Sequence, residues 1–175
     1  ARVEALYQYG GVYMDTDVEV LKSFNPLLEA QCILGMEEKE YVATSFMAFE
    51  KGHPLVKEFL NLYEQLSFLD KKGQIIAGTN VAKLTKMLKE KGFVQENHYQ
   101  ELENGIQIYP KEFFSPYDYI NCHYNITENS YCVHYFAVSW MSKKEQVKKE
   151  IKKRIVKILG PEKMNEIREK LWKKN

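Results

Sequence analysis

The chain has 175 residues, of which 45% are hydrophobic and 28% are charged, and its formal net charge is +1. This length suits one domain with a substantial core, and the composition is that of a soluble globular protein rather than a nucleic-acid binder. No apolar run approaches the ~18 residues of a membrane-spanning helix. The three cysteines, Cys32, Cys122 and Cys132, match no zinc or disulfide spacing, so we expect a reducing, cytoplasmic location.

The first predicted elements lead to a pair of carboxylates. Residues 2–9 are typical of the end of a helix, Gly10 fits the position after it, and residues 12–14 predict a short buried strand. Asp15 and Asp17 follow directly. In an extended backbone, side chains at i and i+2 share a face, with Cα atoms about 6–7 Å apart. Two such hard oxygen ligands suit Mn²⁺ or Mg²⁺.

The remaining elements predict an α/β fold with a mixed sheet. A short helical turn is expected at 25–28, and residues 111–129 read as a loop-rich insertion. His53 precedes Pro54 at a helix start, which favours a capping or turn role over a ligand role. The predicted strands cover 18–21, 32–36, 44–49, 105–110 and 130–134, and the predicted helices cover 54–68 and 79–92.

The C-terminal segment differs in charge from the rest of the chain. Residues 142–175 contain 13 Lys and Arg against 5 Asp and Glu. Two amphipathic helices are predicted there, divided at Gly160-Pro161. Two interpretations remain open: a helical pair packed on the domain, or peripheral contact with an anionic membrane surface. The apolar stripes are Val147, Ile151, Ile155, Ile158 and Leu159 on the first helix and Met164, Ile167, Leu171 and Trp172 on the second.

The string from Arg2 to Leu21, R-V-E-A-L-Y-Q-Y-G-G-V-Y-M-D-T-D-V-E-V-L, resembles the nucleotide-sugar signature of glycosyltransferase family thirty-two. That family includes bacterial capsular-polysaccharide transferases and yeast mannosyltransferases, and it is related to the glucosylating clostridial toxins. Residues 46–54, 78–80 and 131–140 resemble later family segments. In the family a nucleotide-binding strand–helix half precedes the Arg, and we expect this chain to lack it.

The resemblance implies a GT-A-like (Rossmann-like) transferase domain over residues 1–141, followed by the basic tail 142–175. The implied activity is metal-dependent, retaining transfer of a hexose from a nucleotide-diphosphate sugar to a saccharide or glycolipid acceptor, in surface polysaccharide synthesis. The residues indicate no carboxylate nucleophile. A same-face mechanism, in which the departing phosphate helps to deprotonate the acceptor, needs none.

The resemblance also implies roles for individual residues, with Asp15 and Asp17 as the catalytic pair. Asp17 is the direct metal ligand, and Asp15 binds metal through water or binds donor hydroxyls. His134 is the candidate third ligand; a core histidine is the alternative. Donor binding is assigned to Arg2, Tyr13, Asp15 and Trp140, although Arg2 also suits a surface ion pair and Trp140 a core or lid position.

Two other classes of protein also carry paired acids after a strand or in a loop. A calcium-binding EF-hand loop would place Gly and Glu where Val20 and Pro26 stand, which excludes it. A phosphatase of the haloacid-dehalogenase type usually carries Gly-Thr after the acids, where this chain has Val18-Glu19. The main alternative is a truncated or degenerate transferase domain that acts as a non-catalytic sugar-binding, metal-binding or assembly module.

Overall fold

A computed structural model describes residues 1–38, 40–64, 79–118, 121, 123–137 and 142–172. Its centre is a five-stranded sheet with the order β1-β4-β3-β6-β5. The strands of this sheet are β1 (Gly11–Met14), β3 (Cys32–Glu38), β4 (Tyr41–Phe49), β5 (Gln100–Leu102) and β6 (Ile106–Tyr109).

Two small antiparallel ribbons accompany the central sheet. One pairs β2 (Val18–Val20) with β9 (Cys132–His134), and the other pairs β7 (Tyr117–Asp118) with β8 (His123–Tyr124). The helices are α1 (Arg2–Tyr9), α2 (Pro54–Glu64), α3 (Asn80–Glu90), α4 (Lys111–Phe114), α5 (Lys143–Leu159) and α6 (Pro161–Trp172), with a 3-10 turn at Asn25–Leu27.

The central sheet is mixed, which confirms the fold class predicted from the sequence. Strand β3 runs parallel to β6, whereas the β1–β4, β3–β4 and β5–β6 pairs are antiparallel. A parallel pair needs a long crossover, and α2 and α3 lie in the chain between β4 and β6. This α/β arrangement is compatible with a GT-A-like transferase domain.

Side chains alternate across β4, so each face of the sheet carries its own core. Met47 and Phe49 face the larger cluster, which also contains Leu6 of α1, Phe59 of α2 and Leu88 of α3. The opposite face, around Phe46 and Ala48, packs against an aromatic group that includes Phe114, Phe24 and Tyr131. The Phe46 and Phe114 rings stack at 4.1 Å between centroids. The two cores hold the site-bearing end of β1 between them.

The turn from α1 into β1 depends on Gly10, as predicted. Its φ is +68° and its N–H donates to the Leu6 carbonyl oxygen at 2.9 Å. A Cβ at this position would lie 2.7 Å from the backbone nitrogen of Lys51. Glycine is therefore required both by the backbone angle and by the close approach of the neighbouring loop.

Several element boundaries differ from the sequence predictions. Strand β2 ends at Val20, α3 covers 80–90 rather than 79–92, and α2 is described to Glu64, so residues 65–68 of its predicted range lie outside the described residues. The edge strand β5 was not predicted. The region 111–129 was predicted to be loop-rich, but it contains α4, β7 and β8. These elements are only two to four residues long, so periodicity could not reveal them.

The basic tail contains two helices, and α5 begins with a capping box. Ser142 Oγ accepts from the Glu145 N–H, and the Glu145 carboxylate accepts from the Ser142 N–H at 3.0 Å. Val156 is buried, whereas the predicted stripe residues of α5 are exposed. Among the described helices, none has both the length and the apolar character needed to cross a bilayer.

Candidate metal and donor site

The two acids lie in a tight turn between β1 and β2. Strand β1 ends at Met14, and the Val18 N–H donates to the Asp15 carbonyl oxygen at 3.1 Å. The prediction that Asp15 and Asp17 share one face of an extended strand is therefore wrong in its geometry. The carboxylates converge because the chain turns, and the Asp15 N–H stays anchored on the Ser45 carbonyl of β4 at 2.8 Å.

Asp15 is held by two side chains that the sequence analysis assigned to the donor site. Arg2 Nη1 lies 3.0 Å from Asp15 Oδ1 and also donates to the Thr44 carbonyl oxygen at 3.2 Å. The Tyr13 hydroxyl donates to Asp15 Oδ1 at 2.6 Å, and the Arg2 guanidinium lies 4.8 Å from the Tyr13 ring centroid. These contacts fix the direction of the Asp15 carboxylate.

The spacing between Arg2 and Asp15 follows from the lengths of two elements. Helix α1 has eight residues and rises about 12 Å, and β1 has four residues and spans about 13 Å. Since Gly10 and Gly11 reverse the chain between them, the end of β1 returns to the first turn of α1. Because the helix and the strand are similar in length, this reversal places Arg2 next to Asp15.

The Tyr13 phenol remains protonated in this setting. Partial burial, reinforced by the hydrogen bond to Asp15 and its negative charge, raises the Tyr13 pKa to about 12. Arg2 acts in the opposite direction but more weakly. The hydroxyl is thus a donor to Asp15 near neutral pH, where it orients the carboxylate.

Asp17 is held by the segment that follows β9. Its Oδ2 accepts the Ala137 N–H at 2.8 Å, and its carbonyl oxygen accepts the Tyr135 N–H at 3.0 Å. His134 pairs with Val18 in the β2–β9 register, which places its Nε2 3.2 Å from Asp17 Oδ1. The structure thus brings His134 to the acidic pair across more than a hundred residues of chain.

Asp15, Asp17 and His134 offer ligand atoms that all lie within 4.8 Å of one another. Two atoms bound to one Mg²⁺-sized ion at about 2.1 Å lie no more than about 4.2 Å apart. A modest closure of the turn is thus enough for three-point coordination. Two carboxylates and a neutral imidazole are donors that Mn²⁺ and Mg²⁺ accept, with water filling the other positions. The residues fit a divalent cation.

Phe136 forms a second feature of the site that the sequence analysis did not identify. Its φ is +49°, a left-handed conformation that is unusual for a bulky residue. Its ring centroid lies 4.0 Å from that of His134. The neighbouring Ala137 N–H binds Asp17, so the strained backbone serves both contacts. A main-chain donor carries no residue-type signal, which is why sequence reasoning missed it.

The remaining residues considered in the sequence analysis are His53, Trp140 and the donor-site group. His53 is buried, its Nδ1 accepts the Leu55 N–H at 3.2 Å and its Nε2 is 3.0 Å from the Asn104 carbonyl oxygen. This fixes the tautomer with the proton on Nε2 and confirms the predicted capping role. Trp140 lies outside the described residues, as do Gly78 and Cys122. The other donor-site residues, Arg2, Tyr13 and Asp15, form one cluster.

The acidic turn and the helix–strand unit before it coincide with a known protein-family region. Residues 1–34 match the family described as "Glycosyltransferase sugar-binding region containing DXD motif". The matched stretch covers α1, β1, β2 and the start of β3, and so includes Arg2, Tyr13, Asp15 and Asp17. The D-x-D of this description corresponds to Asp15-Thr16-Asp17.

Similar proteins are named as glycosyltransferases. The chain is 30% identical over 121 residues to lactosylceramide 4-alpha-galactosyltransferase of Mus musculus, covering 69% of this chain and 32% of that protein. It is 30% identical over 63 residues to inositol phosphoceramide mannosyltransferase 3 of Schizosaccharomyces pombe, covering 36% of this chain and 18% of that protein.

An uncharacterized protein of Arabidopsis thaliana is 34% identical over 118 residues, covering 66% of this chain and 17% of that protein. The chain thus spans about a third or less of the length of these relatives. No solved structure is significantly similar. The matched region and the named relatives thus make this chain similar to DXD-containing glycosyltransferases over part of its length.

Proposed function

We propose that this chain is the donor- and metal-binding part of a retaining glycosyltransferase of family thirty-two, which moves a hexose from a nucleotide-diphosphate sugar to a saccharide or glycolipid. The observation that carries the proposal is the convergence of Asp15, Asp17 and His134 within 4.8 Å, beside Arg2. The family match over residues 1–34 independently covers three of these four residues.

Each of the described site residues has a separate proposed role in donor binding. A bound Mn²⁺ or Mg²⁺ would neutralise the diphosphate oxygens that take up charge as the bond to the sugar breaks. Asp17 and His134 would hold the ion, with Asp15 as a direct or water-mediated ligand. Arg2 offers its guanidinium to a phosphate oxygen or a sugar hydroxyl, and Tyr13 keeps Asp15 in its orientation.

The reaction needs no enzymatic nucleophile. The acceptor hydroxyl oxygen forms a bond to the anomeric carbon while the bond from that carbon to the diphosphate oxygen breaks. The electron pair leaves on the diphosphate oxygen, and the hydroxyl proton passes to the departing phosphate. Attack from the face on which the diphosphate leaves retains the anomeric configuration.

The proposed acceptor is a glycolipid or a growing surface polysaccharide. The names of the mouse and fission-yeast relatives both refer to ceramide lipids, lactosylceramide in one and inositol phosphoceramide in the other. Such acceptors lie in membranes, and we propose that this protein works at the cytoplasmic face of one. The exposed stripe of α5 supports this placement, since Val147, Ile151 and Ile158 are 57%, 52% and 81% exposed on a helix rich in lysine.

The test is metal-dependent turnover of a nucleotide sugar by the purified chain. Release of nucleoside diphosphate from a panel of nucleotide hexoses is measured with Mn²⁺ and with excess chelator. Turnover is expected only with metal. The variant Asp17→Asn removes one charge but keeps an acceptor for the Ala137 N–H, and it should lower turnover by about 10²-fold or more.

Glu101→Gln provides the matched control. It removes the same charge from the opposite edge strand of the sheet, about 19 Å away by strand spacing, and should leave turnover unchanged. Full activity in chelator, or in Asp17→Asn, would contradict the proposed metal role. Metal binding without turnover of any nucleotide sugar would instead favour the non-catalytic module.

A further inference from the structure

A cleft of about 280 Å³ opens beside the metal-binding cluster. One wall is aromatic and comes from β8 and the segment after β9, and the opposite wall is polar and comes from α5. The size lies just below the roughly 300–1,000 Å³ typical of small-molecule sites, so it suits one or two sugar rings better than a long polymer. The side chains that form its walls are Tyr124, Tyr135, Phe136, Gln146, Glu150 and Lys153.

The cleft shares its wall with the candidate metal site. Ala137 lines the cleft and donates its N–H to Asp17 Oδ2 at 2.8 Å. Phe136 lines it too, and its ring lies against that of His134 at 4.0 Å. A ligand in the cleft therefore lies one layer of residues away from the three metal-ligating side chains, and its reacting hydroxyl meets the donor sugar only where it extends past the edge of that layer.

The rings of the aromatic wall are held in place by packing on one another and on a buried tyrosine. Tyr117 is fully buried and packs against Tyr124 at 4.7 Å and against Phe136 at 5.6 Å between ring centroids. Tyr124 in turn meets Tyr135 edge to face at 5.6 Å, and the Tyr135 hydroxyl donates to Glu19. Tyr135 remains 39% exposed on this support. Rigid aromatic rings with one exposed face suit the C–H face of a sugar ring.

The polar wall favours an uncharged ligand. Glu150 and Lys153 carry opposite charges, so the wall adds no net charge, and Gln146 contributes an amide that both donates and accepts. A diphosphate would face the Glu150 carboxylate, whereas sugar hydroxyls can donate to that group and accept from Lys153 and Gln146. Glu150 Oε1 also lies 3.7 Å from Nε of Arg154, four residues further along α5.

We propose that this cleft binds the acceptor saccharide and presents its hydroxyl to the donor held at Asp15, Asp17 and His134. The inference rests on the proposed transferase function and adds to it the place where the acceptor binds. Gln146 and Glu150 are specificity-determining contacts with the acceptor hydroxyls, and Tyr135 is the stacking platform.

The test separates acceptor binding from donor chemistry. The double variant Gln146→Ala/Glu150→Ala changes two exposed positions on α5 and spares every residue of the metal and donor site. The control Lys144→Ala/Lys148→Ala changes two exposed positions elsewhere on the same helix. Lactose, galactose and mannose serve as probes at millimolar concentration, with binding followed by saturation-transfer NMR in the absence of donor.

We expect at least one of these sugars to bind the unchanged chain, and to bind the Gln146/Glu150 variant at least tenfold more weakly and the control equally well. The KM for that sugar as acceptor should rise by the same factor, while Mn²⁺ affinity and donor hydrolysis to water stay unchanged. Tyr135→Phe should bind the sugar like the unchanged chain, and Tyr135→Ala should not.

Three results would overturn the proposal: no binding of any of the three sugars, equal sugar binding by the double variant, or a loss of UDP binding in that variant, which would assign the cleft to the donor. Failure of the proposed function looks different. Donor turnover would then be absent, while sugar binding that depends on Gln146 and Glu150 would still stand.

Discussion

Replacement of His134 by alanine tests whether this residue is a metal ligand or a core histidine. The imidazole is largely buried, with 11% of the side chain exposed, and its Nε2 faces Asp17 Oδ1 at 3.2 Å. As a ligand it supplies one of the three protein donors of the cluster. As a core residue it would contribute its packing against Phe136 and the β2–β9 ribbon together with its contact to Asp17.

The two roles differ in magnitude as well as in kind. Loss of groups that merely support a ligand costs 10- to 100-fold in metal affinity, so loss of a direct ligand should cost at least about 10²-fold, or about 2.7 kcal/mol. Truncation of the ring should lower the free energy of unfolding by about 1–3 kcal/mol. A domain with about 5–15 kcal/mol of stability remains folded after that loss.

His53→Ala is the matched control, because His53 is also buried and has no contact with the acidic pair. It loses hydrogen bonds to Leu55 and Asn104 that measure 3.2 and 3.0 Å. We expect a similar loss of unfolding free energy with Mn²⁺ affinity unchanged. Isothermal titration with Mn²⁺ and thermal unfolding, run on both variants, give the two readouts.

In the unchanged chain, Mn²⁺ affinity should also fall on acidification, because a protonated imidazole cannot coordinate metal. His134→Asn, which lacks that titrating group, should show a weaker dependence on pH in the same range. Preserved Mn²⁺ affinity in His134→Ala, together with a large loss of stability, would refute the ligand role and return His134 to the core.

Further perturbations test the geometry around the site. Tyr13→Phe removes the hydrogen bond to Asp15 and should lower donor turnover about 3- to 10-fold. Because the Tyr13 pKa is raised to about 12, the variant should have the same alkaline limb in its pH–activity profile as the unchanged chain. A shifted limb would show that Tyr13 titrates during turnover. Gly10→Ala should destabilise the protein by about 1–3 kcal/mol more than Gly11→Ala in denaturant unfolding, because both have positive φ but only the first places a Cβ 2.7 Å from a backbone atom; equal losses would contradict the steric argument. Ile151→Ser/Ile158→Ser should reduce co-sedimentation with anionic vesicles, and binding of the unchanged chain should weaken as the Debye length falls from about 30 Å at 0.01 M salt to about 8 Å at 0.15 M; equal recovery of both proteins in the supernatant would leave the tail as a structural helical pair.

The acidic pair could be located from the sequence, but its geometry could not. Residue type and the resemblance selected Asp15, Asp17 and Arg2. The prediction of an extended strand gave the wrong reason for convergence, because period-two reasoning assumes a strand that here ends at Met14. The hydrogen bond from Val18 to Asp15 that forms the turn involves only backbone atoms. Asp is favoured at the first position of such a turn, but that signal is weak and equally fits the end of a strand.

One missed element did carry a signal. Strand β5 pairs with β6 around Asn104 and Gly105, which have φ values of +60° and +64°. An Asn-Gly step with both residues in the left-handed region is the strongest short-range hairpin signal. The preceding edge strand, Gln100–Leu102, has only one apolar residue, so it shows no hydrophobic alternation.

The wall between the metal cluster and the cleft was beyond sequence reasoning. Its contributions are the Ala137 N–H, the Tyr135 N–H and the left-handed conformation of Phe136. Each is set by the pairing of β9 with β2, which joins segments more than a hundred residues apart. Local propensity does not contain that pairing. The resemblance located His134 within a family segment, but it did not indicate what the following three residues do.

The central claim is that Asp15, Asp17 and His134 bind one divalent cation. The most direct measurement is a crystal structure of the chain grown with Mn²⁺ and UDP, with anomalous data collected at the manganese absorption edge. The account predicts a single strong anomalous peak within about 2.5 Å of Asp17 and His134, in contact with the diphosphate. A peak elsewhere, or a diphosphate bound at this turn with no manganese beside these side chains, would contradict it.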